Sequence, residues 1–290
     1  MITVIAVIVI VIAILGLVIY HDTHNFVVRN YEVETDRLKG DKTFVFLTDM
    51  HGYTFGRNNE KLIKAVDDIA PDCILCAGDM FTGEKVKGRV QTEGAEHLLK
   101  ELSGRYPVYI SNGNHEEKVK LYTKEYGNTF DRYKSSLIRE GIFYLENESA
   151  YYDDGNVRIT GLELSLDYFQ KLRKKKMEPE LLEKKLGRIG ADEASRFQIL
   201  IAHNPIYFDE YAKWGADLTV SGHVHGGIIR LPLIGGVISP AIALFPRYDG
   251  GKYEKDGKTM ILGRGLGTHT IHVRMFNPGE VAVIKVIGRK

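Results

Sequence analysis

Thr43-Phe44-Val45-Phe46-Leu47-Thr48-Asp49-Met50-His51 passes within nine residues from an apolar run to two side chains that carry chemistry. A short apolar run with no polar alternation reads as a strand buried on both faces. In an extended segment, residues two apart point the same way, so Asp49 and His51 can aim at one point. The same pattern recurs downstream. Cys73 to Ala77 leads into Gly78-Asp79, and Val108-Tyr109-Ile110 into Ser111-Asn112-Gly113-Asn114-His115. Ile199-Leu200-Ile201-Ala202 leads into His203, and Leu218-Thr219-Val220 into Ser221-Gly222-His223-Val224-His225. Helical stretches fall between these runs at Asn58 to Ala70, Thr92 to Leu102 and Phe130 to Glu140, and a highly charged one covers 168–188. Residues 142–163 and the glycine-rich tail from Gly226 read as strands. Alternating strands and helices imply an α/β sheet, whose ligands bind beyond the carboxyl ends of the strands.

Those ends supply Asp49, His51, Asp79, Asn114, His203, His223 and His225: two carboxylates, one amide oxygen and four imidazoles. One divalent ion takes about four to six ligands, so the set suits two ions. Gly78, Gly113 and Gly222 adjoin the candidate ligands and allow sharp turns and close backbone approach. Singly, each residue has a plain structural reading, such as a turn aspartate or a hydrogen-bonded histidine. Seven such coincidences at successive strand ends do not.

In order, Asp49-Met50-His51, Gly78-Asp79, Gly113-Asn114-His115-Glu116, His203 and Gly222-His223-Val224-His225 resemble the motifs of the calcineurin-like metallophosphoesterase family over residues 43 to about 282. The resemblance implies an α/β fold, a two-sheet β-sandwich flanked by helices, with a dinuclear metal site at one edge. It implies that Asp49, His51 and His225 hold the first ion, that Asn114, His203 and His223 hold the second, and that Asp79 bridges them. His115 is then not a ligand but the catalytic general acid beside the leaving group. The implied reaction is phosphodiester or phosphomonoester hydrolysis through a hydroxide shared by two divalent ions, with Mn, Fe or Zn all suited to mixed His and Asp ligands.

Ile2 to Tyr20 contains no charged residue, and as a helix it spans about 28 Å, close to the thickness of a bilayer's hydrocarbon. A cleaved signal peptide is the rival reading. It wants a basic start and a small-residue cleavage site, which Met1-Ile2-Thr3 and Leu17-Val18-Ile19-Tyr20 do not provide. Residues 1–20 are therefore read as a single-pass transmembrane anchor, 21–42 as a polar stalk and 43–290 as the catalytic domain. Few charges flank the helix. Arg29 and Arg37 favour a cytoplasmic domain by the positive-inside rule, whereas the family's anchored members favour an extracytoplasmic one.

Lys and Arg total 39 and Asp and Glu total 38, a balance that gives no reason to expect nucleic-acid binding. Cys73 and Cys76 lie in an apolar run, point to opposite faces of a strand and read as buried hydrophobes. Arg264 and His269, in a glycine-rich loop, are candidate substrate contacts together with His272 and Arg274, with a surface or ion-pair role as the plain alternative. The run Lys171-Leu172-Arg173-Lys174-Lys175-Lys176 reads as a solvated helix or as a patch for anionic headgroups. The apolar stretch 228–246 reads as core-facing strands or as a lip that meets lipid. It resembles the membrane-anchored branch, although Ile228 stands where that branch often carries Gln. The favoured substrate is a phosphoester attached to lipid or cell envelope. A pyrophosphate-bond hydrolase of a nucleotide-linked lipid, similar to the UDP-diacylglucosamine hydrolases, is the rival enzyme. A non-catalytic, metal-stabilised membrane binding module is the rival from another class.

Overall fold

The structure is a computed structural model, and it describes residues 1–290 except 87, 171–173, 228, 232–234, 239–243, 269–271 and 290. In chain order the strands are β1 (Phe26–Thr35), β2 (Lys42–Leu47), β3 (Cys73–Cys76), β4 (Val108–Ile110), β5 (Phe143–Tyr144), β6 (Ser149–Tyr152) and β7 (Val157–Leu162). They continue as β8 (Phe197–Ala202), β9 (Leu218–Ser221), β10 (Ile229–Leu231), β11 (Gly235–Ile238), β12 (Gly251–Lys255), β13 (Lys258–Leu262) and β14 (Gly279–Gly288). The helices are α1 (Ile2–His24), α2 (Glu60–Ile69), α3 (Glu93–Ser103), α4 (Asn114–Leu121), α5 (Thr123–Tyr126), α6 (Thr129–Arg139), α7 (Leu181–Leu186), α8 (Ala191–Ala194) and α9 (Phe208–Trp214).

Two six-stranded sheets, ordered β1-β14-β2-β3-β4-β5 and β12-β13-β9-β8-β7-β6, form the body of the molecule. Alternation along the buried strands sorts their side chains into layers. Phe44, Phe46, Cys73 and Leu75 of the first sheet meet Ile159, Ile199, Ile201 and Val220 of the second. Val45, Leu47, Ile74 and Cys76 turn the other way, onto Leu62, Leu98, Leu102 and Tyr133 of the helical layer. Cys73 and Cys76 are thus free, buried and on opposite faces, as the strand period requires. The outer face of the second sheet packs Leu162, Leu200 and Ala202 against Leu182, Leu186 and Tyr211. The result is a two-sheet sandwich with helices outside both sheets.

The parallel pairings β2·β3·β4 and β7·β8·β9 send those strands' carboxyl ends to the same edge within each sheet. Every candidate ligand lies just beyond β2, β3, β4, β8 or β9. Topology alone therefore gathers residues 49 to 225 along one rim.

Three expectations need correction. The segment 21–42 is not a stalk. Residues 21–24 complete α1, and residues 26–35 form β1, which pairs in parallel with β14 over ten residues. Its burial alternates only weakly because it is an edge strand, and its polar outer face masked the pattern. The charged segment 168–188 is not one helix. It contains a 3₁₀ turn at Leu166–Phe169 and the short α7, and between them Met177 is buried while Lys174 to Lys176 are exposed. Part of the basic run, 171–173, lies outside the described residues. Finally, the described part of 228–246 does not form core-facing strands. β10 and β11 make a separate two-stranded hairpin with Leu231 exposed.

Candidate metal centre

The turns that follow the strands are abrupt. Asp49, His51, Asp79, His223 and His225 all have left-handed backbone, with φ of 51°, 48°, 52°, 75° and 53°. Asp and His are among the few non-glycine residues that tolerate this region, and such strain gathers where function fixes the backbone. The loops are cross-bonded. Asp49 N–H donates to Gly78 O at 3.0 Å, His51 N–H to Asp79 O at 2.9 Å and Gly267 N–H to Asp49 O at 2.7 Å. A Cβ on Gly222 would lie 2.2 Å from both Asp49 Oδ2 and Thr48 Oγ1, so only glycine lets these two loops meet.

Six of the seven candidate ligands converge in the clusters that follow. Asp49, His51 and His225 form one cluster of ligand atoms within 4.8 Å of one another; Asp79, His203 and His223 form a second; and His51, Asp79 and His115 form a third that joins them. His203 Nδ1 donates to Ala77 O at 2.6 Å and His225 Nδ1 to Gly267 O at 3.2 Å, which leaves each Nε2 lone pair facing the centre. His51 Nε2 and His225 Nε2 lie 3.0 Å apart. With the His225 proton on Nδ1, a cation shared by both rings suits that spacing. The Asn114 Oδ1 atom is buried and accepts no hydrogen bond from any described residue. An orphaned buried acceptor on the residue next to His115, whose N–H holds Asp79, is what a divalent cation satisfies, so these residues fit a metal centre.

The electrostatics agree. Burial pushes the Asp49 carboxyl up to about 6, against the pull of His203 and with repulsion from Asp79 added. Burial also opposes ionisation of Asp79, but the rings of His203, His115 and His51 outweigh it and hold that carboxyl well below the usual range. Burial lowers His203, yet Asp79 and Asp49 raise it further, to about 9. Two buried carboxylates so close together require positive charge nearby.

His115 takes a different place. Gly83 N–H donates to its Nδ1 at 2.8 Å, so the neutral ring carries its proton on Nε2, which lies 4.0 Å from Asp79 Oδ2. Its own backbone N–H donates to Asp79 Oδ1 at 2.8 Å.

The structure gives further residues positions that the sequence motifs do not show. Glu116, fully buried, accepts from Asp79 N–H and Met80 N–H at 2.8 Å each and from Gly113 N–H at 3.0 Å. It clamps the loop of Asp79 to that of Asn114. Its place after Gly-Asn-His was the available signal. Glu116→Gln puts an amide donor against at least one of these N–H groups. It is expected to destabilise the fold by about 2–3 kcal/mol and to weaken metal retention by roughly 10–100-fold, read by thermal unfolding and elemental analysis. Phe169 stacks its edge against His223, with ring centroids 5.1 Å apart. Arg274, 2% exposed, donates to the carbonyls of Arg264, Gly265 and Gly267, while Asn277 holds His225 O at 2.7 Å. Arg264 pairs through its Nε with buried Glu280 at 3.3 Å, the ion-pair role that was its plain alternative. His269 and Ile228 lie outside the described residues.

This rim and sandwich define a metal-dependent phosphoester hydrolase. The family model for calcineurin-like phosphoesterase matches residues 42–227, a span containing all seven candidate ligands and His115, and the chain belongs to that family. A metallophosphoesterase of Bacillus subtilis, YkuE, is 32% identical over 229 residues, covering 77% of this chain and 70% of the relative. A metallophosphoesterase of Aquifex aeolicus is 26% identical over 279 residues, covering 95% of this chain and 97% of the relative. Among solved structures, the NAD nucleotidase of Haemophilus influenzae is similar at 14% identity and a TM-score of 0.47, over 78% of this chain and 45% of that longer one.

Proposed function

We propose that this chain is a membrane-anchored phosphoesterase with two divalent ions, acting on a phosphodiester or phosphomonoester attached to lipid or cell envelope. The observation that carries the reading is the pair of ligand clusters joined where His51 of one meets Asp79 of the other. Asp49, His51 and His225 would hold one ion and Asn114, His203 and His223 the other, with Asp79 reaching both. When bound, the ions supply Lewis acidity to phosphoryl oxygens and acidify water for attack on phosphorus. The chain's own part is positional. The carbonyls of Ala77 and Gly267 fix the tautomers of His203 and His225, and the cross-bonded loops hold the ligand set without rearrangement. His115 offers its Nε2 proton to the oxygen that departs. Residues 2–20 serve as the anchor, since α1 is the one described helix long and apolar enough to cross a bilayer, and that apolar window is 0% buried. The family's anchored members favour an extracytoplasmic domain.

The test is hydrolysis of a chromogenic diester and a chromogenic monoester by purified full-length protein, with Mn²⁺ and with chelator, beside elemental analysis. Two metals per chain with chelator-sensitive turnover is the expected result; full metal content with neither ester cleaved would defeat it. His115→Ala is expected to keep its metals and to lose roughly 10²-fold or more in rate on esters with poor leaving groups, and less on good ones. Equal loss across the series would remove His115 from the leaving-group side.

A further inference from the structure

The end of α1 is fastened to the rim of the metal centre. Asp22 and Thr23 are the buried residues of α1. Asp22 Oδ2 accepts Asn277 N–H at 2.9 Å, and Thr23 Oγ1 accepts Arg274 N–H at 3.2 Å. These are the two residues that hold the loop carbonyls at His225 and Gly265 to Gly267. On the other side, the His24 ring lies 6.2 Å from that of Tyr53, two residues beyond His51. The helix therefore ends between the loops of His51 and His225, on buried hydrogen bonds rather than on a loose linker.

An apolar surface continues from this junction. Phe276 lies in the turn that α1 grips and is 43% exposed; Leu231, Leu244 and Phe245 are 37%, 67% and 63% exposed. Met275 of the same turn bridges to Ile229 of β10, and Phe245 N–H donates to Val237 O of β11 at 3.0 Å. Phe245 and Phe276 both have left-handed backbone, with φ of 47° and 56°. For a bulky aromatic residue that conformation is a genuine outlier, and here it holds two rings out in solvent. Strain kept in order to expose phenylalanine points to an apolar partner for those rings.

We infer that this surface rests on the bilayer from which α1 emerges, so that the metal centre opens at the interface and takes the phosphoester of a lipid whose tails stay in the membrane. The occupant follows from the tether. The apolar run of α1 stops at Tyr20, the polar residues begin at His21, and the junction sits at Asp22 and Thr23. The turn bearing Phe276 is thus held within one helical turn of the point where α1 leaves the hydrocarbon. Aromatic rings at that depth are favoured in the headgroup region. The inference rests on α1 being an anchor, as proposed above.

The native cysteines are both buried, so single thiols can be labelled selectively at the surface. Phe245→Cys and Phe276→Cys, with Tyr151→Cys as a control on β6, carry an environment-sensitive nitrobenzoxadiazole label in the full-length protein. The probe is a phosphatidylcholine vesicle containing headgroup-proximal nitroxide lipid. Retained metal-dependent hydrolysis of a soluble ester reports that each labelled protein is folded. At 245 and 276 the labels are expected to lose about half of their emission or more, and at 151 almost none. If the protein sediments with the vesicles but all three labels behave alike, the docked surface is refuted and the anchor stands. If the protein stays in the supernatant, the anchor reading fails and takes the docking with it.

Discussion

Asp79→Asn is expected to leave a folded protein that has lost one or both metals and at least about 10²-fold of its turnover. The substitution is nearly isosteric, so packing in the 2%-exposed pocket survives. What changes is charge and donor pattern. Asp79 Oδ2 faces His203 Nε2 at 3.1 Å and lies 3.9 Å from His51 Nε2, on the two sides of the centre. Its Oδ1 accepts the His115 N–H at 2.8 Å. An amide keeps only one of these faces as an acceptor and turns a donor toward the other. Either orientation breaks the helix-side bond or opposes a cation. Elemental analysis of the folded variant, with its fold checked by circular dichroism, separates this outcome from simple misfolding. Normal metal content in the variant would remove Asp79 from the bridging place proposed for it.

Gly113→Ala is expected to cost stability and metal together. A Cβ there would stand 2.2 Å from Asp79 Oδ1 and 2.6 Å from Asp79 N, and neither atom can retreat. The carboxylate is pinned by the His115 N–H, and the Asp79 N–H is bonded to Glu116. Overpacking against fixed backbone destabilises by on the order of 3 kcal/mol, about 6 °C or more in thermal midpoint for a domain of this size. This variant should unfold earlier even without metal, because the clash is with backbone and a pinned side chain. A wild-type midpoint with a full metal complement would show that the two loops do not meet as closely as this.

Legibility in the sequence followed locality. The central strands and their ends were readable because apolar runs stop sharply at polar residues, and parallel pairing then carries each end to one rim. The glycines at 78 and 113 were readable for the same reason, and the structure gives them the reason expected: a Cβ on Gly78 would meet Gly113 N at 2.0 Å. What escaped depends on partners distant in sequence. β1 looks like a polar linker until β14 is beside it. Arg274 and Asn277 are ordinary tail residues until they meet carbonyls some 50 residues earlier. The ion pair of Arg264 with Glu280 likewise joins residues that nothing local in the sequence connects. The charged 168–188 segment had helical composition, but burying Met177 and Tyr168 on the second sheet mattered more than local propensity.

The pairing of β1 with β14 also sets an order of assembly. The first strand of the chain docks on the last, and Asp22 and Thr23 wait for residues 274 and 277. During synthesis, α1 emerges some 250 residues before its partners, so the sandwich has nothing to receive β1 until β14 has been made. The newborn helix is left free to enter a membrane in that interval. The rim beside His225 is closed only when Arg274 and Asn277 reach its carbonyls, so a chain cut short before them would be unfinished at the very edge that gathers the ligand set.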